Sequence, residues 1–189
     1  VESVREIENC FATYYDFSDA VPPEFLSEDG ERVRYVSQEM RQDPQSHHLV
    51  LDVSGVPIED IHHPSFGAWT CKGGGLDGAD CEPTDLDACG DHGLCGAEPK
   101  PFVGCTGYGP SSHFLTMGTQ GLGGGQTTQL LETFHDGVYN ELPVRGIWYW
   151  NSHAFNLTTD DHPMNARINF MFATQQDHPA ERIPVRTGR

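Results

Sequence analysis

The chain has 189 residues, of which 28 are Asp or Glu and 11 are Lys or Arg, so its formal net charge is −17. A surface of this charge repels phosphates and anionic lipids, which argues against a nucleic-acid partner. The 37% apolar content supports a folded core and argues against a disordered acidic chain. No apolar run approaches the about 20 residues of a membrane span, so no membrane insertion is expected.

Short β-prone runs separated by turn signals predict an all-β chain, and 21 Gly with 13 Pro argue against long helices. In chain order, the predicted strands are residues 10–15, 32–36, 49–53, 114–117, 127–131, 144–150 and 166–172. Ile168, Phe170 and Phe172 would share one face of the last strand, because successive strand side chains alternate. The pattern suggests one short helix near residues 1–9 and a flexible hairpin loop at residues 118–125, which include the glycine run 121–125.

Many short strands with turns between them predict an antiparallel β-sandwich of jelly-roll type. We expect one domain over residues 1–189. Within it, the Gly-, Asp- and Pro-rich residues 71–110 would form a long disulfide-rich loop, and residues 181–189 a tail or linker. Because the chain begins at Val1 without a charged and then apolar leader, we expect a mature form.

Six cysteines without a CxxC pair favour disulfides over a thiolate zinc site. They are Cys10, Cys71, Cys81, Cys89, Cys95 and Cys105. Their 15 possible pairings are not resolved by sequence. A polar loop of this composition needs covalent crosslinks, which points to an oxidising compartment, either secreted or periplasmic. The triplet Asn156-Leu157-Thr158 is a glycosylation acceptor and suggests a glycoprotein.

Histidines are the best candidates for chemistry in this chain. His47 and His48 open the predicted strand 49–53, and His153 directly follows the aromatic strand segment 146–152. On a regular pleat, adjacent side chains point to opposite faces. His47 and His48 could still share a site at a bulge or a strand start, or if one ring bound through Nδ1 and its neighbour through Nε2. The sequence therefore predicts a three-histidine metal site in which His153 completes the pair.

Three neutral imidazoles without a thiolate suit copper or zinc, whereas calcium and magnesium need oxygen ligands. Copper would transfer electrons, and zinc would polarise water or stabilise structure. A zinc hydrolase would also need a carboxylate base, for which Glu141 and Asp136 are candidates. No catalytic residue is assigned.

Four segments, in this order, resemble copper type II ascorbate-dependent monooxygenases, the family of peptidylglycine α-hydroxylating monooxygenase and dopamine β-monooxygenase. They are residues 10–15, Ser-His-His-Leu-Val-Leu at 46–51, Ala-Trp-Thr-Cys at 68–71 and Trp-Asn-Ser-His-Ala-Phe-Asn at 150–156. The likeness is to the N-terminal jelly-roll domain of that family and covers residues 10–172. In that domain, three histidines hold one copper, which supplies electrons to a second copper.

This resemblance implies that His47, His48 and His153 are copper ligands and that Cys10 pairs with Cys71. The chain departs from the family in two ways. The interval from His48 to His153 is enlarged, and no His-x-His pair for a second copper occurs. The resemblance therefore implies the electron-transfer half of a copper-dependent monooxygenase, with a second copper domain or subunit as partner. The alternative is a non-catalytic secreted binding or structural module with a structural zinc or no metal.

Overall fold

The computed structural model describes residues 5–55, 61–110, 119–162 and 164–174. These residues form eleven strands and two short 3₁₀ turns, at Pro23–Phe25 and Val103–Cys105. The strands are β1 Arg5–Asp16, β2 Arg32–Gln42, β3 Ser46–Ser54, β4 Trp69–Lys72, β5 Leu94–Ala97, β6 Lys100–Pro101, β7 Thr119–Gly125, β8 Gln129–Thr133, β9 Asn140–Pro143, β10 Arg145–Asn156 and β11 Ala166–Phe172.

The strands form two antiparallel sheets. The large sheet has seven strands in the order β4-β5-β1-β10-β3-β7, with β6 also paired to β1. The small sheet has four strands in the order β11-β2-β8, with β9 also paired to β2. The predicted all-β, disulfide-linked antiparallel sandwich is confirmed, and its jelly-roll connectivity stays a prediction.

Aromatic and aliphatic side chains from both sheets fill the space between them. Leu49, Leu51 and Val53 of β3 are fully buried there. Trp148 of β10 stacks on Phe170 of β11, with 5.8 Å between ring centroids. Alternate residues of β11 are partly buried as expected, so Phe170 and its neighbours two positions away share the face that contacts the large sheet. We call this space the inner core.

The large sheet also buries its opposite face. Ile147 and Tyr149 of β10 pack there against loop residues, and Phe66 stacks on Tyr149 at 5.9 Å. Five of the six cysteines are buried in the same cluster, and Cys81 packs against it. We call this second cluster the outer core. Because both faces of the sheet are covered, β10 carries consecutive buried aromatic side chains instead of alternating with polar ones.

Three disulfides crosslink the segment 71–110. Cys71–Cys89 and Cys81–Cys95 lie within it, and Cys10–Cys105 connects it to β1. The predicted crosslinking is confirmed, but the Cys10–Cys71 pairing implied by the resemblance is wrong. Cys10 lies opposite Lys100 in the β1–β6 register, so the residues after Lys100 stay close to β1. The Cα atom of Cys105 is 5.5 Å from that of Cys10. Cys71 lies on the edge strand β4, with β5 between it and β1.

Other sequence expectations need correction. Residues 5–9, expected in a helix, begin β1, because the central position of β1 beside β10 outweighs local propensity. The glycine run 121–125 is part of the edge strand β7 and not a loop. Gly124 approaches β3 so closely that a Cβ would meet the Leu49 carbonyl oxygen at 3.1 Å.

The remaining boundary differences are local. The strand predicted at 127–131 spans Gln129–Thr133, and residues 71–110 contain the short strands β5 and β6 as well as loop. The strand predicted at 114–117 and the tail at 181–189 lie outside the described residues.

Asn156 of the predicted glycosylation triplet ends β10 and is fully buried. Its amide nitrogen donates to the Asp160 carbonyl oxygen at 2.8 Å, and its amide oxygen accepts from the Thr158 backbone at 3.1 Å and hydroxyl at 2.7 Å. The triplet therefore forms a turn in the folded chain, in which the Asn156 nitrogen is not accessible to a glycan.

Candidate metal centre

The three histidines predicted from sequence come together on two neighbouring strands. β3 and β10 are adjacent in the large sheet, and His48 lies directly opposite His153 in their register. Their ring centroids are 4.8 Å apart. Ile147 and Tyr149, on the same face of β10 as His153, belong to the outer core. The two rings therefore lie on that face of the sheet.

A β-bulge brings His47 to the same place. The register passes from His153 opposite His48 to Ala154 opposite Ser46, so His47 is an extra residue on β3. A regular pleat would have directed its ring to the side of Leu49, which is in the inner core. Instead, the His47 ring lies 4.9 Å from that of His153 and 5.4 Å from that of His48. This bulge is one of the arrangements predicted to let the adjacent pair share a site.

The Nδ1 atoms of the three rings point toward a common centre. His153 Nδ1 lies 3.2 Å from His47 Nδ1 and 3.4 Å from His48 Nδ1. Two nitrogen ligands at about 2.0–2.1 Å from one tetrahedral ion lie roughly 3.3 Å from each other. These two separations fit nitrogen ligands on a single ion, and one ligand atom from each of the three histidines lies within 4.8 Å of the other two.

The outer nitrogens of two rings contact hydrogen-bond acceptors. His153 Nε2 donates to Glu6 Oε1 at 2.8 Å. His48 Nε2 donates to Asn151 Oδ1 at 3.1 Å. Because a carboxylate only accepts, the Glu6 contact keeps the proton of a neutral His153 on Nε2, leaving the Nδ1 lone pair toward the centre.

The orientation of Asn151 is fixed by a second carboxylate. Asn151 Nδ2 donates to Glu8 Oε1 at 2.9 Å, which leaves the amide oxygen for His48. The Gly104 backbone N–H also donates to Glu8 Oε1, at 2.9 Å. This bond and the one from Asn151, with smaller contributions from His153 and His48, hold the pKa of Glu8 below its usual range.

Glu6 and Glu8 were missed by sequence reasoning because residues 1–9 were expected to form a helix. In a strand, residues two apart lie on the same face. Glu8 pairs with His153 in the β1–β10 register and Glu6 with Phe155, so both carboxylates follow the histidine face. Reading β1 as a strand from Arg5 onward would have placed them there.

Phe155 forms the apolar wall of the centre. Its ring lies 4.9 Å from that of His47 and 4.8 Å from that of His153. The side chains of His48 and His153 are 25% and 12% exposed, and His47 is the most accessible of the three. The sheet and the Phe155 ring therefore cover two sides of the cluster. A ligand could approach on the side of His47.

Other residues considered for metal chemistry do not join this centre. All six cysteines are in disulfides, so a separate group of Cys71, Cys81 and Cys89 offers no thiolate. Glu141, a candidate base for a zinc hydrolase, belongs to the small sheet and contacts Arg34 at 3.2 Å and Arg32 at 3.4 Å. Among the described residues, the carboxylates within 4.0 Å of the three clustered histidines are those of Glu6 and Glu8.

The described residues define a disulfide-linked antiparallel β-sandwich with a three-histidine cluster on one face of its large sheet. Comparisons with protein-family models, with curated proteins and with solved structures gave no match. Within the described ranges, no helix combines the length and the apolar character needed to cross a membrane.

Proposed function

We propose that this chain binds one copper ion through His47, His48 and His153 and acts as the electron-transferring domain of a copper-dependent monooxygenase. The observation that carries this proposal is the convergence of three Nδ1 atoms from two strands, at separations of 3.2 and 3.4 Å along the cluster. Such nitrogen sites bind Cu²⁺ more strongly than the other divalent first-row ions. A bound copper would supply a reversible one-electron couple.

The surrounding side chains have separate roles in this proposal. Glu6 and Asn151 hold the outer N–H groups of His153 and His48, which orients the two rings toward the centre. Phe155 excludes water from one side of the centre. His47, on the bulge, is the ligand nearest to solvent and to any approaching partner.

The proposed partner is a second copper domain or subunit, because the sequence has no His-x-His pair for another centre. The proposed location is secreted or periplasmic. Three disulfides in a chain of 189 residues are consistent with an oxidising compartment. The chain by itself would then accept and donate electrons without hydroxylating a substrate.

Metal analysis and EPR spectroscopy test this proposal. We expect about one copper per chain and a cupric spectrum with nitrogen hyperfine coupling. His47→Ala, His48→Ala and His153→Ala should each weaken copper binding by about 100-fold or more, because each removes one of three ligands. His135→Ala, at an exposed position, is the matched control and should bind copper like the parent. Equal binding by all four variants would refute the ligand assignment.

The same measurements distinguish the alternative module with a structural zinc. In that case, the purified protein would hold zinc, and removal of the zinc would lower its melting temperature with no cupric signal at equimolar copper. If the His48→Ala variant kept both the metal affinity and the stability of the parent, the alternative module without a metal would be favoured.

A further inference from the structure

A polar cleft of about 480 Å³ lies at one end of the small sheet. It is lined by the end of β2, the start of β11, and residues just outside these strands and β8. Its polar lining residues are Arg41, Gln42, Asp43, Thr128, Asn165 and Arg167. The volume lies within the range of small-molecule sites. No part of the three-histidine centre lines it.

Two arginines lie side by side in this cleft. Arg41 of β2 and Arg167 of β11 are directly opposite in the antiparallel register, and both are exposed on the same face. Like charges in this relation destabilise a sheet, because their Cβ atoms are only about 5 Å apart. The Arg41 side chain contacts Glu39 at 2.8 Å, but the Arg167 side chain has no hydrogen-bond or ion-pair partner within the described residues.

An acceptor lies close to the arginine pair. Asp43 follows Arg41 by two residues at the end of β2, and both line the cleft. Asp43 Oδ2 accepts from the Asn165 backbone N–H at 2.8 Å and from Asn165 Nδ2 at 2.9 Å. Asp43 Oδ1 has no donor among the described residues. The cleft therefore offers two guanidinium forks and one open carboxylate oxygen.

We propose that this cleft binds a free α-amino acid. The Arg41 and Arg167 guanidinium groups would bind the carboxylate, each through paired N–H donors, and Asp43 Oδ1 would accept from the ammonium group. A zwitterion suits this site better than a simple anion, because a chain with net charge −17 repels free anions but not a neutral molecule. The bound carboxylate would also relieve the repulsion between the two arginines. The Thr128 hydroxyl, which has no hydrogen bond in the described structure, is available to the ligand.

Three ligands with the same carbon skeleton test this proposal. Alanine, lactate and propionate differ by an ammonium, a hydroxyl and a hydrogen, and each can be titrated into the labelled full chain while backbone amide chemical shifts are measured. We expect alanine to cause saturable shifts confined to residues 41–43, 128 and 165–167. Its dissociation constant should be about ten-fold or more below that of propionate, with lactate between them.

Variants separate the two halves of the site. Arg167→Gln and Arg41→Gln should each raise the dissociation constant for alanine by about ten-fold or more. Asp43→Asn should remove the preference for alanine while propionate binds as before, which also shows that the cleft is intact. Arg145→Gln, at an exposed arginine on β10 outside the cleft, should change nothing. Non-saturable shifts, equal affinity for alanine and propionate, or unchanged alanine binding by Arg167→Gln would each overturn the proposal.

Discussion

Asn151 connects one of the candidate ligands to the rest of the large sheet. It is 4% exposed, lies in register with Cys10 and contacts both His48 and Glu8. A side chain so placed can orient an imidazole without itself touching the metal. The candidate centre is therefore more than three histidines, because the ring of His48 depends on a hydrogen bond whose direction Glu8 sets.

Asn151→Leu should weaken copper binding by about 10–100-fold, because it removes the acceptor for the His48 Nε2 proton while retaining bulk. The cupric EPR parameters should shift as well, which a purely structural role would not cause. Asn169→Leu, at an exposed position on the small sheet, is the control and should leave both unchanged. Unaltered affinity and spectrum in Asn151→Leu would show that the outer hydrogen bonds do not orient the ring.

The half-buried carboxyl of Asp52 affects the stability of the fold through its ionisation, independently of the candidate centre. Burial raises the pKa of this carboxyl, and that carboxyl makes no hydrogen bond in the described part of the chain. A raised folded-state pKa means that the ionised form destabilises the fold at pH values above the ordinary 3.8, and that this penalty disappears at lower pH. Asp52→Asn should therefore raise the melting temperature at pH 7, with a gain that shrinks as the pH falls toward that value. A lower melting temperature at pH 7 would contradict this account.

At the scale of elements, the pairing of β3 with β10 carries the candidate centre. Seven residues of β3 pair with β10 in regular register from Ser54 to His48, and the bulge follows at His47. The regular part fixes the relative position of His48 and His153, while the bulge rotates His47 to their side. A shift of this register by one residue would place the rings of His48 and His153 on opposite faces of the sheet.

Gly146 lies at the other end of the same strand pair. A Cβ there would collide with the Ser54 carbonyl oxygen and approach the Tyr15 hydroxyl at 3.2 Å. Gly146→Ala should therefore lower the free energy of unfolding by about 1–3 kcal/mol, because backbone atoms must move. Chemical denaturation measures this change. Gly75→Ala, where a Cβ meets nothing within 4 Å, is the control, and an equal effect of both changes would refute the close-packing explanation.

At the scale of the whole molecule, the disulfides differ in what they connect. Cys71–Cys89 and Cys81–Cys95 close loops of 18 and 14 residues within one segment. Cys10–Cys105 spans 95 residues and ties the loop to the central strand β1. Residue 105 follows Gly104, whose N–H holds Glu8, so this disulfide also secures the hydrogen bonds behind His48.

Replacing Cys10 and Cys105 together by Ser should lower the free energy of unfolding by about 4–5 kcal/mol, against about 3 kcal/mol for Cys81 with Cys95, because the longer closed loop restricts the unfolded chain more. Only the first pair should also weaken copper binding. Denaturation curves and metal titrations of the two double variants measure both effects. Equal copper affinity in the two variants would show that the Cys10–Cys105 disulfide does not contribute to the candidate centre.

Most of the strands could be predicted, because alternation and turn residues are local signals. The runs at 32–36, 49–53 and 166–172 all fall within observed strands. The start of β1 and the glycine strand β7 could not, since both owe their conformation to a neighbouring strand distant in sequence. The three histidines could be selected from sequence because two are adjacent at a strand start and one comes shortly after a run of aromatic residues, although His153 itself lies within β10.

By itself, the sequence determined the alternating strands, the number of cysteines available for crosslinking and the three imidazoles. These follow from side-chain chemistry and from periodicity within about ten residues. The tertiary structure alone decided which cysteines pair, that His47 lies on a bulge, and that Glu6, Glu8 and Asn151 support the centre. The physical reason is that, apart from the two short disulfides within the loop, these contacts join residues about 95 or more positions apart. Their geometry depends on strand register, which is selected by the packing of the whole sandwich.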